Sequence, residues 1–305
     1  ITDRNGKREV KVIASGLDRP NGLAFENGTL YIAEGTKISK LEKIEDNLDN
    51  PPPLVVIYDD LPNHQSHGWK FIAIGPDRKL YINVGAPCNI CIPPEENAHI
   101  RRINLDGGGG EVFARGVRNS VGLEFNPKNN ELWFSDNQTD GMGDDIPAGE
   151  LNRATKPGQF FGYPWIQGKT RITDHGYDKD PLPANITNPE VYMDAHAADL
   201  GLTFYTGKKF PAKYHGGIFS AQHGSWNRTT PIGARIMFTS LKADGSADKT
   251  EVFADGWLDP ETKQYRGRPV DVVNLPDGSL LVSDDFAGAL YRITYVGDAT
   301  PKPKQ

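Results

Sequence analysis

Histidines and arginines stand at one recurrent place in this chain, just ahead of an apolar strand. His67 precedes the strand in NHQSHGWKFIAIG, and Arg118 with Asn119 precedes the one in GVRNSVGLEF. His196 holds the same place in AHAADLGLTF, as do Arg266 and Arg268 in YRGRPVDVV. His223, Trp226 and Arg228 share the loop HGSWNRTT. Arginine forks bind carboxylates through paired N–H donors, and an indole offers a stacking face. A histidine among them can take a proton near neutral pH. This set suits a polyanionic, planar ligand, although a lone arginine in such a place also suits a surface salt bridge. His64 competes with His67 for the role of base, while His99, His175 and His215 are given none. The loop SDNQTDGMGDDIPAGELN adds Asp136, Asp140, Asp144 and Asp145. Its oxygens suit Ca2+, without EF-hand spacing, and equally suit a solvated acidic loop.

What must position these groups is a repeat. A strand ending in Gly, an apolar strand, a short turn and an apolar-aromatic strand recur five times, from VKVIASGLDRPNGLAFENGTLYIAE at Val10 to RPVDVVNLPDGSLLVSDDFAGALYRITY near the end. Asn-Gly, Pro-Asp-Arg, Pro-Lys-Asn-Asn and Pro-Asp-Gly supply the turns. Third strands such as KISKLEKI and HIRRINLD complete each unit. The pattern predicts an all-β chain, a β-propeller of four-stranded blades, because no single blade can bury both its faces. One domain spans 1–305, and VKVIASG is expected to complete the last blade and close the ring. Residues 138–189 are too long and irregular for hairpin turns and are expected to form insertion loops near the active face. Blade entries point to one end of a propeller, so the groups above should meet at the channel mouth. GGGG at 107–110 joins two strands without a following helix and reads as a turn.

Bulk properties narrow the partners. With 33 Gly and 23 Pro in 305 residues, short strands and turns are favoured over long helices. The net charge of −6 is spread without a basic run, which argues against nucleic acid, and the apolar stretches are too short for membrane insertion. The opening ITDRNGKREV lacks the apolar core of a signal peptide, so an export signal is expected to have been removed or never to have been there. The CNIC pair, Cys88 and Cys91, lacks the further ligands of a zinc site and the βαβ context of a redox motif, which leaves a small-loop disulfide. Such a bond, with four N-x-T sequons at Asn27, Asn137, Asn185 and Asn227, favours a periplasmic or extracellular address.

The segments HGWKFIAIGPDRKLYINVGAPCNIC, FARGVRNSVGLEF, ELWFSDN with its DD…ELN loop, HGSWNR and GRPVDVV…PDGSLLVSDD resemble the sorbosone dehydrogenase branch of the soluble pyrroloquinoline quinone (PQQ) dependent sugar dehydrogenases. The resemblance runs over nearly the whole chain. It implies a periplasmic six-bladed propeller that oxidises an aldose or sugar-derived aldehyde with PQQ and Ca2+, and passes electrons to an external acceptor such as a cytochrome or quinone. Carried over by motif, His67 is the general base and Arg118 stabilises the oxyanion on the quinone. Asn119 holds the quinone, His196 lies near it, and Arg266 with Arg268 matches a carboxylate-binding pair. His223 stands where relatives have a cofactor-binding lysine. The Ca2+ is expected on main-chain oxygens near Gln138 and Thr139, with Asp144 or Asp145 orienting groups nearby. The family pattern calls for about one more blade ahead of Val10, so the ring either closes with five or lacks a segment. A Ca2+-dependent lactonase on a similar propeller and a non-catalytic sugar- or protein-binding propeller are the alternative readings.

Overall fold

The computed structural model describes residues 2–4 and 7–297 of the chain. Five blades of antiparallel strands follow one another in sequence order, as the repeats predict, and Gln159–Phe160 adds a short parallel strand to the outer edge of the second. Blade 1 comprises Leu23–Glu26, Thr29–Ala33, Ile38–Leu41 and Val55–Tyr58. Blade 2 comprises Ile72–Ile74, Lys79–Val84, His99–Asn104 and Glu111–Arg115. Blade 3 comprises Leu123–Phe125, Leu132–Asp136, Gly149–Ala154 and Val191–Met193. Blade 4 comprises Asp199–Phe204, Ile218–Gln222, Arg235–Leu241 and Ala247–Ala254. Blade 5 has Pro269–Asn274, Leu280–Asp284 and Ala289–Ile293. No helix among the described residues is long and apolar enough to cross a membrane.

The two-residue period of the strands explains how blades stack. In blade 2, Leu80 and Ile82 join a cluster with Tyr31 and Ile38 of blade 1, while Tyr81 between them points to Leu123 and Phe134 of blade 3. In blade 3, Trp133 points the other way, onto Leu202 and Phe204 of blade 4. Phe219 and Phe238 of blade 4 pack in turn with Val272 and Val282 of blade 5. Blades 2, 3 and 4 therefore bury both faces against their neighbours.

Ring closure differs from the expectation. Residues 10–16 form no strand, and the last blade keeps three strands instead of taking VKVIASG as a fourth. Val10 and Val12 are 80% and 78% exposed, while Ile13, Ala14 and Leu17 pack on Ile32, Leu41 and Ile44 of blade 1. The free face of blade 1 is the nearest apolar surface along the chain, and covering it closes only a short loop. Inner strands pack in order from blade 1 to blade 5, and among the described residues no packing of that closeness joins blade 5 to blade 1. Leu23 and Phe25 on blade 1 and Val273 and Leu290 on blade 5 stay exposed accordingly.

The stretch 138–189 is not loop throughout, because Gly149–Ala154 is the third strand of blade 3. Its polar Glu150 and Asn152 hide the apolar alternation, yet both are buried and bond to each other at 2.9 Å. The excursion after this strand returns to the top of the blade, where Gln167 Oε1 accepts Thr139 N–H and Oγ1–H, each at 2.8 Å.

Blades 3 and 4 approach so closely that a Cβ on Gly122 would overlap the carbonyl of Leu200, a cavity-lining residue described below. Gly122→Ala is expected to destabilise by about 1–3 kcal/mol, read as a lower urea midpoint. Gly108→Ala, where a Cβ meets nothing closer than 3.4 Å, should stay within about 0.5 kcal/mol of the parent.

Candidate active site

One short loop sets the geometry at the end of the propeller where the inner strands begin. It leaves the second strand of blade 2 at Gly85 and runs to Cys91. His67, held at φ 50° in the turn ahead of blade 2, sits against this loop, where a Cβ on Gly85 would lie 2.5 Å from that of His67. His67 Nδ1 lies 2.7 Å from the Ala86 carbonyl oxygen. A carbonyl only accepts, so Nδ1 carries the hydrogen and Nε2 keeps its lone pair. Burial, aided by the nearby Arg118 charge, pushes the imidazole down from 6.5 to about 4, which leaves it neutral at physiological pH. His64 instead turns its ring to Asn97 Oδ1 at 3.2 Å.

Arg118 is 1% exposed and spends most of its donors on the protein. Nε–H goes to Asn89 O at 2.9 Å and Nη1–H to Asn137 O at 2.9 Å. Nη2–H goes to Asn89 Oδ1 at 2.7 Å and to Asp140 Oδ2 at 3.3 Å. A guanidinium has five N–H donors, so one on Nη1 stays unspent. The Ala86 N–H reaches the Arg118 carbonyl at 2.8 Å, which ties both His67 and Arg118 to a single residue. Beneath them Asp136, fully buried, accepts the main-chain N–H of Arg118 at 3.0 Å and of Asn119 at 2.6 Å, and Gln138 Nε2–H at 3.1 Å.

His67, Arg118, Asn119, Gln138, His196 and Trp226 line one cavity of about 240 Å3. His196, at φ 63°, bonds the Ile146 carbonyl through Nε2 at 2.9 Å and lies 3.3 Å from Asn227 Nδ2 through Nδ1. Trp226 is 74% exposed and overhangs the opening. Trp69, Asp140, Asp199 and Leu200 also line it; Asp140 belongs to the acidic loop noted in the sequence, while Trp69, Asp199 and Leu200 carried no signal there.

The remaining candidates lie elsewhere. Arg228 bonds the carbonyls of Asp144, Ala195 and Thr230, and Arg268 those of His223 and Gly224, with its plane 5.0 Å from the Tyr265 ring. Arg266 pairs with Asp259, and His223 Nε2 lies 2.8 Å from Asp285 Oδ1. Asp144 accepts the N–H of Thr229 at 2.8 Å, and Asp145 faces Arg228 from the surface at 3.7 Å. Thr139 lies behind the cavity wall on Gln167. Of the four arginines at blade entries or the HGSWNRTT loop, only Arg118 lines the cavity, because loop carbonyls capture Arg228 and Arg268 and the Asp259 carboxylate captures Arg266. The Asn137 and Asn227 amides of two sequons are likewise engaged, with Asp199 O at 2.7 Å and Asp140 Oδ1 at 2.9 Å. A separate cavity of about 330 Å3, at the opposite end between the turns of blades 3 and 4, is lined by Lys128, Lys213 and Lys242.

The cavity residues fit an anionic quinone with a hard cation. The unspent Arg118 N–H, the Asn119 amide and the indole face suit a planar carboxylated ring. Gln138 Oε1 is buried without a hydrogen-bond partner, and a neutral oxygen of this kind suits Ca2+. Among the described residues no cluster of three or more His, Cys, Asp or Glu side chains is set for a metal.

Imidazole NMR should find His67 neutral until about pH 4, and a midpoint near 6.5 would contradict the assigned environment. The sign follows: between the unfolded value and the folded one only the unfolded chain takes the proton, so stability falls as pH drops from about 6.5 to about 4.

Residues 26–292 match the family described as Glucose / Sorbosone dehydrogenase. An uncharacterized protein of Borreliella burgdorferi is 37% identical over 302 residues, covering 94% of this chain and 79% of its own. The aldose sugar dehydrogenase YliI of Escherichia coli is 25% identical over 211 residues, covering 66% of this chain and 47% of its own, so the chain spans about half of that relative. In fold, the holo form of the pyranose dehydrogenase PQQ domain from Coprinopsis cinerea superposes with a TM-score of 0.74 at 18% identity, covering 93% of this chain and 94% of its own. The chain belongs to the Glucose / Sorbosone dehydrogenase family.

Proposed function

We propose that the protein is a PQQ- and Ca2+-dependent dehydrogenase of aldoses or sugar-derived aldehydes of the sorbosone type. The observation that carries the reading is a neutral His67, with a free Nε2 lone pair, in one cavity with the buried cation Arg118. When bound, the quinone supplies a two-electron acceptor, and Ca2+ supplies a Lewis acid. His67 Nε2 takes the proton of the substrate hydroxyl while the carbon-bound hydrogen leaves with its electron pair, so the CH–OH group becomes a carbonyl and two electrons pass on. Arg118, fixed in place by four hydrogen bonds to Asn89, Asn137 and Asp140, would set its positive charge beside a bound acceptor. Asn119 and Trp226 hold the planar ring, and His196 closes the far wall. Gln138, through Oε1 and its main-chain oxygen, and Thr139, through its carbonyl, are proposed to hold the cation. Arg228, His223, Arg266, Arg268, Asp144 and Asp145 support surrounding loops and touch neither group in the arrangement described above. The small-ring disulfide supports an oxidising compartment, periplasmic or extracellular, and an external cytochrome or quinone would receive the electrons.

Titration with PQQ and Ca2+ followed by a panel of aldoses tests this. The expected result is saturable uptake and sugar-dependent bleaching of the quinone absorbance, with His67→Ala slowed about 10²–10⁴-fold while uptake persists. Absence of PQQ uptake by the parent protein would overturn the proposal.

A further inference from the structure

The loop between Pro87 and Pro93 has no regular secondary structure, yet it accepts two of the four hydrogen bonds that the Arg118 guanidinium donates. It is a small ring, closed by the Cys88–Cys91 disulfide. The ring hangs on Tyr163, a fully buried side chain whose hydroxyl oxygen accepts Cys91 N–H at 3.1 Å and lies 3.4 Å from Cys88 Sγ. Inside the ring, Asn89 spends its side chain and carbonyl on the site. Its carbonyl accepts Arg118 Nε–H at 2.9 Å and lies 3.3 Å from Thr139 Oγ1, whose one hydrogen is shared with the shorter bond to Gln167. Its Oδ1 accepts Arg118 Nη2–H at 2.7 Å and Asp140 N–H at 2.9 Å, and its Nδ2 donates to Asp140 O at 3.0 Å. One side chain thus joins the guanidinium to the loop that carries Gln138, Thr139 and Asp140. Asn89 does not line the cavity, so any influence on a ligand runs through Arg118 and that loop.

We infer that Asn89 is the positioning residue for Arg118, and that the Cys88–Cys91 disulfide keeps Asn89 in place. Opening the ring frees a segment that no strand holds, and it loosens the guanidinium together with residues 137–140 while the blades stay folded. For the ligand affected, the inference rests on the proposed quinone site; for the clamp itself, it rests on the contacts alone.

The test compares the oxidised protein with Asn89→Ala, with the Cys88→Ser/Cys91→Ser double variant, and with protein treated with a water-soluble phosphine. The phosphine converts the disulfide to two thiols and takes up oxygen from water as its oxide. Three readouts are followed: amide exchange at Asp140, the His67 imidazole midpoint and the PQQ dissociation constant. Expected are Asp140 exchange faster by about ten-fold or more, a His67 midpoint above about 4 as the Arg118 charge moves off, and PQQ binding weaker by about ten-fold or more, with a far-UV spectrum unchanged. A merely structural loop would leave the His67 midpoint where it is. If the double variant does not fold, Asn89→Ala and the phosphine arm decide. Unchanged Asp140 exchange and an unchanged His67 midpoint in both would overturn the inference. Failure of the oxidised protein to take up PQQ would strike the functional proposal instead, and the exchange and imidazole readouts would still judge the clamp.

Discussion

A guanidinium buried to 1% exposure is the constraint from which the rest of the site follows. A charge taken out of water costs several kcal/mol unless acceptors replace the lost hydration. Here the acceptors come from two loops: Asn89 from the loop after the second strand of blade 2, and Asn137 and Asp140 from the loop after the second strand of blade 3. Both loops must be in place before Arg118 can be, and blades 2 and 3 must already be stacked through Tyr81, Phe113 and Phe134. Desolvation pulls Arg118 below the ordinary arginine range, and the Asp140 carboxylate opposes it. The same positive charge helps to hold His67 neutral, so acid–base chemistry and electrostatics in the cavity share one origin.

Support from below is also electrostatic. Asp136 has no solvent contact, and its two oxygens receive N–H donors from Arg118, Asn119 and Gln138. Across the strand pair it faces Glu150, whose oxygens receive Gly168 N–H and Asn152 Nδ2–H. Burial drives Glu150 above the usual carboxylate range, and the Asp136 charge pushes it the same way. Two buried carboxylates side by side do not both ionise readily. Asp136, with three donors and a nearby cation, is the one suited to stay charged, which leaves the proton on Glu150.

The blades were legible in the sequence because period-two alternation and Gly-rich turns are local signals, as Leu80, Tyr81 and Ile82 show. The strand Gly149–Ala154 was not, since its buried polar residues Glu150 and Asn152 break the alternation, and they are accommodated by bonding each other and by Gly168 N–H from a later loop. Repeat logic placed His67, Arg118, Asn119 and His196 at one end, where they share a cavity. The same logic misled for Arg266 and Arg268: an entry position brings a backbone near the channel mouth, but loop carbonyls and Asp259 decide where a long side chain goes. Asn89 carried no signal of its own, because its importance lies in five contacts across blades. The N-terminal segment joined blade 1 because burial of Ile13, Ala14 and Leu17 is available there, a competition that strand propensity does not report.

The most direct test of the account is a crystal structure of the protein soaked with PQQ and Ca2+. The expected result is a planar ring in the 240 Å3 cavity, with an oxygen within hydrogen-bonding reach of the unspent Nη1–H of Arg118, and His67 Nε2 facing the space above the ring. Density for the quinone among Lys128, Lys213 and Lys242 at the opposite end, with the Arg118 cavity left to water, would contradict it.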